Sequence, residues 1–297
     1  MSDIILLSSN EYRKDSELKN LLTVPYSLLD AAHPSLTKEQ RKRVLKEKYH
    51  KKLISDGLET GLLELNNNGE LIYRSKQSES VFKGFVFEAL LVRLCNDNME
   101  TIGKAAYQWC TERQRVRNET LNKINAFGRG FITTRQGLPQ LYNITHKFDV
   151  QFYYMNEQRS EPEVETIVNT KIEAGIQVKA ITCNEQSEII DKILSNTYAH
   201  VLTCLRHSNG VHSYNECMRL IMDMYSRGKI DRNQRVYLES RIYCPEQLSI
   251  RQSWIDDYSE YVSDWYYGYA KPDGSISDAQ GSEIKGYKNE NSILVPV

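Results

Sequence analysis

The 297-residue chain has no apolar run approaching the ~20 residues that a membrane-crossing helix needs, which sets aside a helical membrane protein. It also lacks an excess of charge of either sign, since 38 Lys and Arg stand against 39 Asp and Glu. A protein that coats nucleic acid through bulk charge is thereby excluded, and any phosphate-binding surface has to be local. The six cysteines, at 95, 110, 183, 204, 217 and 244, include no C-x-x-C pair. That spacing is unlike the dense framework of a small secreted domain, and free thiols are expected. The opening residues MSDIILLSSNEY carry an acid ahead of the apolar stretch and no basic leader, so a cytoplasmic protein with no membrane partner is expected. Repeats and low-complexity stretches are absent as well. What is there is a globular composition, 40% hydrophobic and 26% charged, sufficient for a sizeable core in one or two domains.

Periodicity, turn residues and charge runs divide the chain into three zones. Residues 1–80 read as an accessory region with a basic helix over SLTKEQRKRVLKEKYHKKLISDG and a hairpin in which NNNG separates the apolar runs LLEL and ELIYR. The helix carries Lys38, Arg41, Lys42, Arg43, Lys46, Lys48, Lys51 and Lys52 against Glu39 and Glu47. A solvated face accounts for such a run, and so does nucleic-acid binding through Arg41, Lys42 and Lys46. Residues 81–226 begin with VFKGFVFEALLVRLC, apolar nearly all round as a buried helix is, and continue as a long amphipathic helix, METIGKAAYQWCTERQRVRNETLNKINAFG, that Gly128 and Gly130 terminate. GFITTRQ, NITHKFDVQFYY and AGIQVKAIT then read as strands, NEQSEIIDKILSN as a helix and YAHVLTCLR as a further strand. Ser213 and Glu216 have capping-box spacing ahead of the helix CMRLIMDMYSR. Residues 227–297 read as a helix stopping near Pro245, a Tyr/Trp-dense segment and a loosely ordered tail, KPDGSISDAQGSEIKGYKNENS.

Four polar residues stand where apolar neighbours lead one to expect another hydrophobe. In GIQVKAI, Gln177 and Lys179 are two apart and share one face of a strand, while Ile176, Val178 and Ala180 face the other way. Asp149 lies between Phe148 and Val150, and an isolated buried carboxylate is costly unless it is paired or holds a cation. Glu88 has Gly84, Phe85, Leu91 and Val92 as its helical neighbours. Carboxylates and an amide oxygen are hard ligands suited to Mg²⁺, which activates a bound water and stabilises charge on a phosphate. A lysine beside the attacking water orients it or helps to neutralise the transition state. The alternative is an ordinary buried ion pair between Asp149 and Lys179, with Glu88 reaching outward.

The ordered set Glu88, Asp149 and Gln177-Val178-Lys179, on a helix, three strands, a helix and a strand, resembles the PD-(D/E)xK nuclease superfamily. Gly84-Phe85-Val86-Phe87-Glu88 followed by Gln177-x-Lys179 is most similar to its Mrr-like restriction endonucleases and related bacterial antiphage effector nucleases. The resemblance covers residues 81–226. It implies an α/β fold with a restriction-endonuclease-like core, a central mixed β-sheet flanked by helices, here with N- and C-terminal extensions. It implies Mg²⁺-dependent hydrolysis of DNA, with Mn²⁺ able to substitute, in antiphage defence or restriction. Asp149 would be the principal metal ligand, Gln177 a neutral ligand or water positioner, Lys179 the catalytic lysine, Glu88 a direct or water-mediated ligand and the Val178 carbonyl a further ligand. No proline precedes Asp149, and the long Asp149–Gln177 connection contains a competing acid, Glu173. The near-neutral charge fits an effector directed by a partner, such as an NTPase/helicase or a sensor protein, or by homo-oligomeric assembly. The rival readings are a non-catalytic, nuclease-like binding or assembly protein and an RNA nuclease.

Three other groups invite weighing. Cys204, His207, His212 and Cys217 offer zinc-type ligands at C-x₂-H-x₄-H-x₄-C spacing, but a strand at Cys204 and a helix at Cys217 favour core cysteines and loop histidines over zinc. Tyr258, Tyr261, Trp265, Tyr266, Tyr267 and Tyr269 could stack on bases, though helical spacing of the first three favours packing. Arg113, Arg115, Arg117 and Lys123 are candidates for phosphate contact, Arg113 and Arg117 foremost.

Overall fold

A computed structural model describes residues 49, 52–65, 71–73, 78–156, 161–269, 287–290 and 293–296. The protein is mixed α/β. Residues 52–59 are helical (α1) and lead into the antiparallel hairpin β1 (Leu63–Leu65) and β2 (Leu71–Tyr73), in which Leu63 pairs with Tyr73 and Leu65 with Leu71. Helix α2 (Glu79–Asp97) buries Phe82, Val86, Phe87, Ala89, Leu90, Leu91, Leu94 and Cys95. A π-helical turn, Met99–Gly103, joins it to α3 (Lys104–Thr111), which ends where Glu112 takes a left-handed conformation, φ 58°. The long helix expected to run on to Gly128 is therefore broken. After the short α4 (Asn118–Leu121), residues Ile124–Phe127 form strand β3, with Ile124, Ala126 and Phe127 buried. The expected strand GFITTRQ is instead helix α5 (Ile132–Gly137), anchored where the Thr134 hydroxyl donates to the Gly128 carbonyl at 2.7 Å. Strand propensity is weak over so short a segment, and here a local side-chain to backbone bond goes with a helical turn.

Two three-stranded sheets follow. In the first, β4 (Gln151–Asn156) lies between β3 and β5 (Glu161–Val164), all antiparallel. In the second, β6 (Gln177–Lys179), β7 (Val201–Thr203) and β8 (Ile242–Tyr243) are parallel in that order. A single antiparallel pair, Val150 with Ile176, joins them. Strand β4 thus gives one edge to β3 and shares the other between β5, at its far end, and β6, at its start. The long Asp149–Gln177 connection is accounted for by β5 and a returning hairpin in which Thr166 pairs with Glu173.

The parallel crossovers supply helices to the sheet. A π-helical turn (Gln186–Ile190) and α6 (Asp191–Leu194) connect β6 to β7, while α7 (Ser213–Ser226) and α8 (Arg232–Arg241) connect β7 to β8. Helix α7 is capped by His212, whose Nδ1 accepts from Tyr214 N at 2.9 Å, and not by the expected Ser213 box. Ser213 is the buried first helical residue. Val178 and Leu202 face an apolar core shared with α2, whereas Val201 and Ile242 face a second core with Ile189, Ile193, Cys217 and Ile221. Helix α9 (Gln252–Tyr269) lays Tyr258, Tyr261 and Trp265 into the first core, so these aromatics pack as their spacing suggests. Tyr266 packs beside Phe82, and the side chains of Tyr267 and Tyr269 lie outside the described residues. The first core runs from Tyr49 to Trp265 and crosses both zone boundaries drawn on the sequence. Tyr287–Glu290 (β9), inside the tail expected to be loose, pairs antiparallel with Ile293–Pro296 (β10), which follows it. Among the described residues no helix is long and apolar enough to cross a membrane.

Candidate functional site

Past the Val150–Ile176 pair, β4 and β6 part company, and the side chain of Asp149 takes over the pairing. Its Oδ2 accepts from Val178 N at 2.7 Å and from Gln177 Nε2 at 2.5 Å. The parallel ladder uses Gln177 N, which donates to His200 O, and Lys179 O, which accepts from Cys204 N. Strand alternation therefore turns the N–H and C=O of Val178 to the opposite edge, beside Asp149. Gly175 shapes this corner. A Cβ there would stand 2.5 Å from Phe148 Cγ and 2.8 Å from its Cβ, so the absence of a side chain lets residue 148 settle and fixes where Asp149 begins.

Glu88 comes from α2 and is felt at the same place. Burial pushes its carboxyl well above the usual range, and the neighbouring Asp149 pushes it further, with Lys179 acting in opposition. Burial likewise raises Asp149 to about 7, against the hydrogen bonds from Val178 and Gln177 and the charge of Lys179. Two acids in one desolvated corner cannot both ionise cheaply without a cation. Neither Glu88 nor Asp149 Oδ1 accepts a hydrogen bond from a described residue. Lys179 lies 3.6 Å from Glu188 Oε2 and 5.0 Å above the Tyr198 ring; a direct ion pair with Asp149 is not formed. Glu188 is the contact that sequence reasoning missed, brought over β6 by the π-helical turn.

The remaining candidates are dispersed. Glu173 is engaged elsewhere, meeting Arg129 Nη2 at 2.8 Å and His146 Nε2 at 3.2 Å. Arg113 is held by Glu165 at 3.0 Å and by the Tyr107 hydroxyl at 2.7 Å, which makes it a structural cation, while Arg117 is exposed at the start of α4. Arg41, Lys42 and Lys46 lie outside the described residues. The zinc-type quartet is separated: His207 Nε2 meets buried Glu185 at 2.7 Å, His212 is spent on the α7 cap and on Gln252, and Cys204 and Cys217 belong to different cores. No cluster of three or more His, Cys, Asp or Glu suited to a metal occurs among the described residues. A site built from Asp149, Glu88, an amide and a carbonyl does not depend on such a cluster.

No family model, curated protein or solved structure matches the chain.

Proposed function

We propose that the chain is a metal-dependent nuclease that hydrolyses DNA phosphodiester bonds at the Asp149 centre, on a restriction-endonuclease-like core. The observation that carries this reading is the convergence of Asp149, Gln177, Val178 and Lys179 with Glu88, two of them acids raised by burial and without full hydrogen bonding. Such a donor set fits Mg²⁺ or Mn²⁺, held by Asp149, Glu88, the Gln177 amide oxygen and the Val178 carbonyl. The ion would supply an activated water and charge stabilisation at the phosphate. Lys179 brings a cation to the same corner, where it offsets the developing negative charge and orients the nucleophile. Gly175 and Phe148 hold Asp149 in register with Gln177. The antiparallel pair joined to a parallel strand after a crossover, flanked by α2 and α6, agrees with the superfamily resemblance. A role in antiphage defence or restriction in the cytoplasm, directed by a partner or by assembly, follows from that resemblance and from the balanced charge.

The direct test is cleavage of circular and linear duplex DNA, single-stranded DNA and RNA in Mg²⁺ or EDTA, with native protein and Lys179→Ala. Metal-dependent cutting lost in the variant supports the reading, and the substrate cut decides between DNA and RNA. A second reading, a nuclease-like scaffold without catalysis, is favoured by one contact: Lys179 leans to Glu188 and not to Asp149. A folded native protein that neither cuts nor binds Mg²⁺ would establish that alternative.

A further inference from the structure

The polar face that holds Asp149 continues into a second cluster. Gln151 follows Asp149 by two residues and so lies about 7 Å along the same face. It is fully buried, and its Nε2 donates to Ala174 O at 2.9 Å. Its Oε1 accepts from Arg129 Nε at 2.5 Å, which fixes the guanidinium of a residue whose side chain is only 11% exposed. The counter-charge of Arg129 comes from the solvent side. Glu173, 42% exposed, presents Oε2 to Arg129 Nη2 at 2.8 Å, and His146 Nε2 reaches the same oxygen at 3.2 Å. Gln151 Nε2 completes the set at 3.4 Å. His146 is oriented in turn by Phe148 N, which donates to its Nδ1 at 3.4 Å, leaving Nε2–H for the carboxylate.

Three donors thus converge on one anionic oxygen, two of them preset by buried or backbone partners, while the anion itself stands on an exposed hairpin. An arginine oriented by a neutral amide keeps its full charge for whatever anion arrives, and a guanidinium suits phosphate as well as carboxylate. We propose that Arg129 and His146 form a second phosphate-binding seat beside the Asp149 centre, filled in the free protein by the Glu173 carboxylate and taken by a phosphate of the nucleic-acid strand when substrate binds. The choice of ligand rests on the nuclease reading. Gln151, two residues along the strand from Asp149, ties the seat to the same face, so a phosphate held there would help to set the strand's position while Glu173 competes with weakly held chains.

The test measures binding of a short DNA duplex in EDTA across a salt series, with Mg²⁺-dependent cleavage followed in parallel. Native protein is compared with Glu173→Gln, Arg129→Gln and Arg129→Lys, each checked for folding by thermal unfolding. Glu173→Gln is expected to tighten binding about 3-fold, as loss of a half-exposed competing ion pair allows. Arg129→Gln is expected to weaken it about 10-fold and to lower the slope of log affinity against log salt by about 0.9, the value of one phosphate contact. Arg129→Lys should keep the slope, which a merely structural role would not predict. If Glu173→Gln fails to tighten binding, or Arg129→Gln leaves the slope unchanged, the seat is overturned, even where Mg²⁺-dependent cutting stands. If both effects appear but no protein cuts, the seat is upheld and the nuclease reading falls. If native protein binds no DNA, both fall.

Discussion

Helix α2 contributes one residue to each of two acidic centres, and the two are built in opposite ways. At the first, Asp56 of α1 is 2% exposed and fully engaged: Arg93 holds it through two bonds, at 3.0 and 2.8 Å, and the Tyr258 hydroxyl adds a third at 2.8 Å. This centre pins α1, α2 and α9 together. At the second, Glu88 meets Asp149, and the two donors the pair receives both go to Asp149 Oδ2. A satisfied buried acid is a staple. At Glu88 and Asp149 burial raises both carboxyls, and Glu88 and Asp149 Oδ1 have no partner among the described residues, which is what makes this pair a candidate ligand set and the other a staple.

Substitution at the staple should give the largest change in stability. Asp56→Ala takes from Arg93 the carboxylate that holds it through two bonds and from Tyr258 its acceptor, with an expected loss of about 3 kcal/mol in denaturant unfolding and no change in Mg²⁺ affinity of the protein that remains folded. A loss below 1 kcal/mol would erase the contrast. Asp149 should respond to pH in the opposite sense from an ordinary paired acid. Its carboxyl stands near 7 in the folded protein against 3.8 ordinarily, so between those values the folded state holds a proton that the unfolded chain releases. The contribution of this carboxyl to metal-free stability is therefore fully present below about 4 and is lost as pH rises through about 7, on the order of a few kcal/mol. Asp149→Asn should flatten that decline, and Mg²⁺ should raise the melting temperature more at pH 8 than at pH 5. A native-minus-variant stability difference that grows with pH over this range would contradict the assignment.

Smaller effects sharpen the same comparison. Gly175→Ala forces Phe148 aside, with an expected cost of about 1–3 kcal/mol and weaker Mg²⁺ binding, read together by unfolding and titration. Retained metal affinity would show that Asp149 does not depend on this corner. Arg113→Ala should cost about 1 kcal/mol through the loss of its bonds to Glu165 and Tyr107, without lowering the salt dependence of DNA binding. A reduced salt slope would return Arg113 to the nucleic-acid surface.

The strand faces of the candidate site were more legible in the sequence than the fold around it. Two-residue alternation in Gln177-Val178-Lys179 and the lone Asp149 between hydrophobes report strand faces directly, because the period of a strand is local. The meeting of Glu88 with Asp149 is tertiary, and it was reachable only through the resemblance. The break at Glu112 rests on a left-handed residue that periodicity does not encode, and it hid β3 inside an imagined helix. Arg129 is hidden for the same reason: it follows β3 between Gly128 and Gly130, a pair of glycines that equally suits a helix terminus. An arginine set between two glycines was the available signal.

Calorimetric titration of Mg²⁺ into native protein and Asp149→Asn at pH 8, above the raised carboxyl, tests the central claim most directly. One saturable site in the native protein, lost in the variant while both remain folded, is the predicted result. Equal binding by both, or binding by neither, would contradict a metal centre at Asp149.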